Sequence, residues 1–495
     1  MGVVAAGHPE TARVGADVLR EGGNAVDAAV ASMVASFACE PLLNSLGAGG
    51  YMLVVPPERE PVLLDFFVAA PGFGAEPGRR TAELIPIDVS FGDAVQLFNV
   101  GVASVGAYGL PAGLCAACDR FGSVPLSSLV APGVSLARDG VALNQQQAYV
   151  IEILAGIVTS TPEAAALFAP EGRVLGAGDV IRQPELAEAL ERLGAEGAAP
   201  FYAGDIAAAI VAWVGERGGM LTAEDLSSYE VVLRDPVRAS YRGHDVLTNP
   251  PPSAGGILIA HALGVLDEVP SPPSVESVVS AMERTQAART PEFLEGLDDP
   301  GFVARFLSGG GRLGSTTHVA VLDRDGWACS VTCSNGACSG VVVPGTGVHL
   351  NNMLGEQDLN PLGFHRYPPG RRLPSMMAPT VVLDDGEPVL ALGSAGSNRI
   401  RSAILQTIIR VIDQGMPADE AVRAPRLHFE DGVVYVEPGI DVDSLTAAGR
   451  AVSRFRDRNL FFGGAQAAAR DPVGGFAGGG DPRRGGAAIV VQSAG

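Results

Sequence analysis

The stretch THVAVLDRDGWACSVTCS, residues 317–334, constrains the fold of this chain more than any other segment. Two apolar runs flank Arg324-Asp325-Gly326, a loop that suits a three-residue hairpin turn with Gly326 in the left-handed position. Both runs are apolar and read as buried strands. Downstream, PTVVLDD, PVLALGSAG, GVVYVEP and AAIVVQ read as further strands, and RIRSAILQTIIRVIDQG reads as a helix. Hairpins with one helix per few strands point to an α+β protein whose antiparallel sheets are covered by helices, and not to βαβ crossovers. The glycine-rich GGFAGGGDPRRGG reads as a loop.

The N-terminal half fits the same scheme. HPETARVGADVLREGGNAVDAAVASMVASFACEP has apolar positions at helical spacing, broken at Gly22-Gly23-Asn24, and predicts two packed helices. GGYMLVVPP and PVLLDFFVAAP follow as short strands. Residues 110–230 are mostly helical in pattern, including LAEALERLGAEG, DIAAAIVAWVGERGG and a capping-box-like Thr-Ala-Glu-Asp from Thr222 to Asp225. Strands return at DPVRASYRGHDVLTN, and PPPSAGGILIAHALGVL gives a turn and a helix. The GAGG of SLGAGGYM follows no clear strand and opens no helix, which argues against a dinucleotide loop.

Composition excludes several functions. The 495 residues carry a net charge of −21, spread along the chain, and all the basic residues are Arg. An acidic surface repels phosphate backbones and anionic lipid, so neither nucleic acid nor a membrane surface is an expected partner. No apolar run approaches the length of a bilayer span. The first residues lack the charged and apolar regions of a signal peptide, so the expected location is the cytoplasm. Heavy use of Arg, Ala and Gly suggests a high-GC bacterial genome. Six cysteines do not make a disulfide framework in a chain this long. Cys115 and Cys118 share a helix face and read first as small buried hydrophobes, second as a redox pair. No His spacing matches a metal site, and no cofactor is expected.

Counting outward from the turn, Asp323 faces Trp327 and Thr316 faces Ser334, so the two hydroxyls share one face of the sheet. A slip by one residue would place Cys333 there instead. A threonine hydroxyl is a poor nucleophile until a base takes its proton, and one solution is the residue's own α-amine, which titrates near ~8. That requires the chain to be cut between Ser315 and Thr316. The glycine-rich SGGGRLG just upstream would let the new ends move apart. Otherwise Thr316 and Thr317 are ordinary strand residues that follow a loop.

The motif GSTTHVAVLDRDG resembles the start of the small subunit in the gamma-glutamyltranspeptidase family of N-terminal-nucleophile hydrolases. GHPETARVGADVLREGGNAVDAAVA, SLGAGGYMLV, GGMLTAEDLSSYE, PPPSAGGI, PGTGVHLNNM, LPSMMAPTVV, GSAGSNRI and DPRRGGAA are similar to further family motifs and follow the family's order. The resemblance covers nearly the whole chain. It implies a four-layer αββα sandwich and self-cleavage into a large subunit, 1–315, and a small subunit, 316–495, both derived from one chain. It also implies Thr316 as nucleophile, with Ser334 in the place of a helper threonine, and Gly396 and Ser397 in the place of two glycines whose N–H groups form the oxyanion hole. Ser375 would match one of two serines that grip a glutamyl group, with Pro374 beside it unable to donate. Asn335 would match a substrate-binding Asn.

Two departures bear on the substrate. Phe67 stands where the family's glutamyl enzymes have an Arg that grips the substrate carboxylate, and Phe offers no counter-charge. Glu356 stands where an Asp holds the substrate ammonium. The expectation is therefore a hydrolase of a small metabolite's acyl bond that is not γ-glutamyl-specific. That bond is an amide, or a carbon–carbon bond next to a carbonyl as in relatives of actinobacterial antibiotic pathways that make alkylproline units. The alternatives are a true gamma-glutamyltransferase or glutathione hydrolase, and a non-catalytic homologue.

Overall fold

A computed structural model describes residues 1–75, 78, 80–90, 95–288, 297, 316–360, 362–471 and 474–492. Two antiparallel sheets lie face to face. The first runs Ala487–Val491, Gly2–Ala6, Thr317–Asp323, Ala328–Ser334, Gly49–Val55, Val62–Phe66, Val232–Arg234. The second runs Phe476–Gly480, Gly464–Arg470, Glu387–Ala395, Thr380–Asp384, His244–Thr248, Val237–Tyr241. The hairpin of residues 317–334 thus sits at the centre of the first sheet. Both its strands are buried along their whole length, as their two apolar faces require.

Helices cover the outer faces and complete an αββα sandwich. Pro9–Arg20 and Ala25–Cys39 pack on the first sheet, while Gly255–Asp267 and Arg399–Ile412 pack on the second. The Ala25–Cys39 helix is buried on every side, because Leu126–Asp139 lies across its far face. Its composition anticipates this, since a helix that is apolar all round needs partners all round. A capping box of Asn24 and Asp27 starts it after the Gly22–Gly23 break. The Thr222–Asp225 capping box also forms.

The hairpin register is the one that counting predicts. Thr317 faces Cys333 and Leu322 faces Ala328, Asp323 N–H donates to Trp327 O at 3.1 Å, and Gly326 has φ +89°. Side chains alternate accordingly. Val319 and Val321 enter the core under the N-terminal helices, whereas Ala320 and Leu322 enter the core between the sheets. Hydrogen bonds stitch the sheets together. Ser330 Oγ donates to Leu392 O at 2.9 Å and accepts from Thr380 N–H at 3.0 Å.

One expectation is overturned. Part of GGFAGGGDPRRGG is an edge strand, Phe476–Gly480, paired with Gly464–Arg470. Its glycines allow close approach. A Cβ on Gly478 would lie 2.7 Å from a Val3 methyl, and one on Gly480 would lie 2.2 Å from the Ala487 amide nitrogen.

Candidate active site

Thr316 stands just before the central strand, at the next register position opposite Ser334. Strand alternation separates the two adjacent threonines. Thr317 points toward the helix layer, where its hydroxyl donates to Glu40 Oε2 at 2.8 Å. Thr316 belongs to the opposite face, with His318. It is 1% exposed, and among the described residues its hydroxyl has no hydrogen-bond partner. Ser315, the other half of the expected cleavage site, lies outside the described residues, as does the upstream glycine-rich tether.

Two cross-sheet contacts show what Thr316 faces. Ser330, level with Ala320, bonds to Leu392 at 2.9 Å. One level further out, the His318 ring packs on Gly393, where a Cβ would lie 2.4 Å from the ring. Continued by the same step, the level of Thr316 and Ser334 falls toward the end of Glu387–Ala395, the strand that leads into a tight turn. That turn is Gly396–Ser397–Asn398. Gly396 has φ +120° and Ser397 has φ +60°. Gly463 backs the turn so tightly that a Cβ on Gly396 would lie 2.5 Å from its Cα.

His318 shares the face of Thr316. Burial pushes its imidazole down to about 3, and Nδ1 is engaged with Thr332 Oγ1 at 2.8 Å. The Ser334 hydroxyl accepts from Gly336 N–H at 2.8 Å, which turns the chain sharply at the strand end.

The expected substrate-binding residues divide. Phe67 falls in the row Thr316–Ser334–Gly49–Phe67, since Ser334 pairs with Gly49 and Gly50 pairs with Phe66. It is fully buried and stacks on Tyr51 with ring centroids 5.3 Å apart. The Tyr51 hydroxyl, also buried, has no partner among the described residues. Asn335 braces a loop: Oδ1 accepts from Ser45 Oγ at 3.0 Å and Nδ2 donates to Leu350 O at 3.4 Å. Glu356 accepts from Ala337 N–H at 3.0 Å. Ser375 Oγ accepts from Met377 N–H at 3.0 Å, while its carbonyl accepts from Ser253 Oγ at 2.9 Å.

Glu40 escaped the sequence argument. A carboxylate inside the apolar run SFACEPLL was its only signal. It is wholly buried, and burial raises it to about 7 against the opposing effects of hydrogen bonds from Thr317 and Thr11 and of the Arg484 charge.

Comparison with known proteins decides the kinship. The profile of the family described as Gamma-glutamyltranspeptidase matches residues 11–308 and 308–491. The chain belongs to that family. It is 32% identical over 497 residues to the glutathione hydrolase proenzyme of Escherichia coli (strain K12), covering 90% of this chain and 84% of that one. It is equally 32% identical over 499 residues to the acylase ACY 1 proenzyme of Pseudomonas sp. (strain SE83), covering 92% and 87%. Among solved structures, cephalosporin acylase from Bacillus halodurans superposes with a TM-score of 0.83 at 26% identity, over 100% of this chain and 96% of that one. The αββα sandwich built from the hairpin outward is the fold of this gamma-glutamyltranspeptidase relative.

Proposed function

We propose that this chain is an autoprocessed hydrolase in which Thr316, freed by scission of the Ser315–Thr316 bond, attacks the acyl carbon of a small metabolite. The observation that carries this is the Thr316 hydroxyl itself: buried, without a hydrogen-bond partner among the described residues, and next in register opposite Ser334 on the face between the sheets. Family membership and relatives named as proenzymes support it. In the reaction, the α-amine of Thr316 accepts the hydroxyl proton as Oγ1 bonds to the carbonyl carbon. The N–H groups of the Gly396–Ser397 turn receive the developing oxyanion. The leaving group departs with that proton, and water then hydrolyses the acyl-enzyme.

The acyl group is not γ-glutamyl. Phe67 sits in the nucleophile's own row and stacks on Tyr51, so the position where the family's glutamyl enzymes carry an Arg offers a substrate carboxylate only an uncharged ring. The bond broken is an amide or a carbon–carbon bond next to a carbonyl.

On a denaturing gel, active protein is expected as two bands corresponding to residues 1–315 and 316–495, and Thr316→Ala as one band without turnover. An intact chain that turns over without the Thr316 hydroxyl would refute the proposal. Brisk release from γ-glutamyl-p-nitroanilide would refute the substrate assignment alone.

A further inference from the structure

The turn beside the nucleophile ends on Asn398, which is 3% exposed and starts the Arg399–Ile412 helix without a side-chain cap. Its side chain is used elsewhere: Nδ2 donates to Glu430 Oε1. The other Glu430 oxygen lies 3.2 Å from His428 Nε2, and His428 Nδ1 lies 2.7 Å from Ser402 Oγ. Ser402 is on the first turn of the helix that Asn398 begins. The chain of bonds therefore closes on itself, from Asn398 through Glu430, His428 and Ser402 back along the helix to Asn398.

Donors and acceptors in this ring fit only one arrangement. Burial alone would raise the Glu430 carboxyl, but the His428 hydrogen bond and the nearby Arg401 and Arg399 charges outweigh it and hold it at about 2. An ionised carboxylate only accepts, so it takes one hydrogen from the Asn398 amide and one from His428 Nε2. Burial keeps His428 neutral, down at about 4. Nδ1 is then an acceptor for the Ser402 hydroxyl. The same constraint fixes the Asn398 amide, whose Oδ1 must face away from Glu430.

The residue before Asn398 explains why the turn has to be held. Ser397 carries a side chain at φ +60°, a backbone state that glycine adopts freely and other residues do not. Where the family places a second glycine, this chain needs an external restraint to keep the Ser397 N–H aimed. We propose that Glu430 and His428 are positioning residues of the reaction: clamping Asn398, they hold the Gly396–Ser397 turn in the shape that receives the oxyanion. The proposal rests on the Thr316 mechanism above.

Hydrolysis of p-nitrophenyl acetate tests it, because this ester needs a nucleophile and an oxyanion site but has no head group to be recognised. Glu430→Ala and Asn398→Ala should each lower kcat about tenfold to a hundredfold while KM stays within about twofold, part of the ~10²–10³ that loss of a whole oxyanion donor costs. The double variant should be no slower than the worse single one, since both break one clamp. Glu430→Gln keeps an oxygen for Asn398 and should recover most of kcat; it also serves if Glu430→Ala does not fold. Unchanged kcat in Asn398→Ala and Glu430→Gln alike, with Glu430→Ala either folded and unchanged or unfolded, would overturn the clamp, as would losses that multiply in the double variant. If Thr316→Ala hydrolyses the ester as fast as the parent, the mechanism beneath the clamp fails first, and the two failures are told apart.

Discussion

Thr317 and Glu40 share a 2.8 Å hydrogen bond across the outer face of the central sheet. That bond engages the second threonine of the pair on the helix side, while strand alternation turns Thr316 to the space between the sheets. Glu40 reaches Thr317 through the absence of a side chain at Gly7, where a Cβ would lie 2.3 Å from Glu40 Oε2 and 3.0 Å from Thr317 Oγ1. A three-way contact of acid, hydroxyl and glycine thus holds the start of the strand that follows Thr316.

Stability should carry the mark of this buried acid. The Glu40 carboxyl titrates at 4.5 when free and at about 7 in the fold, with burial as the chief cause. Between those values the folded state binds more proton than the unfolded one, so stability falls as pH rises through that window. Above it the full penalty stands, on the order of 3 kcal/mol. Glu40→Gln keeps an oxygen for Thr317 and loses the charge. Denaturant unfolding should find the two proteins alike near pH 4.5 and the variant more stable at pH 8. Parallel pH profiles for the two proteins would show that Glu40 is not the titrating group.

Legibility in the sequence followed the range of the physics. The hairpin was readable to within one residue, since a three-residue turn with glycine in the left-handed position favours the register that puts Thr316 opposite Ser334, and the pairing of Thr317 with Cys333 excludes the slip. The break before Ala25 was readable because Asn24 caps what the glycines interrupt. Contacts between distant segments were not readable. Nothing local to GGFAGGG says that Val3 and Ala487 press against it, so its glycines looked like loop glycines. Glu430 and His428 lie some thirty residues from Asn398 in sequence, and only the fold brings them to the turn. The hydrogen bonds from Ser45 to Asn335 and from Ala337 to Glu356 were likewise not readable from the positions of these residues.

Alanine at Gly480 separates the strand from the loop reading directly. A Cβ there would lie 2.2 Å from the Ala487 amide nitrogen, a backbone atom that cannot swing aside. Gly480→Ala should destabilise by about 1–3 kcal/mol or more, as overpacking does elsewhere. Alanine at Gly474, whose φ of +86° is the only demand on it and whose Cβ would meet nothing, should cost about 1 kcal/mol. Thermal unfolding of the two variants should rank Gly480→Ala well below Gly474→Ala, and the reverse order would restore the loop.

Ser397 holds a left-handed backbone that glycine would adopt without strain. Ser397→Gly removes that strain but loosens the unfolded chain, so the net change in stability should be within about 1 kcal/mol. The backbone N–H is retained, so turnover of p-nitrophenyl acetate should be too. Loss of all turnover would mean that the serine hydroxyl itself takes part.

Ser334 is the sharpest test of the site, because its hydroxyl has a role on each side. It accepts from Gly336 N–H at 2.8 Å, turning the chain at the end of the hairpin, and it stands opposite Thr316 in the register. Ser334→Ala removes the turn bond and the hydroxyl that lies opposite Thr316 in the register. The lost turn bond should cost about 1 kcal/mol of stability. If Thr316 is the nucleophile proposed above, the lost hydroxyl opposite it should slow turnover about tenfold to a hundredfold, the size of one hydrogen bond to a group that becomes charged. Ser334→Thr keeps the hydroxyl and should recover the rate. Gel analysis of self-cleavage beside kcat distinguishes the effects: a stability loss alone leaves the cleaved enzyme as fast as the parent, and that result would remove Ser334 from the mechanism.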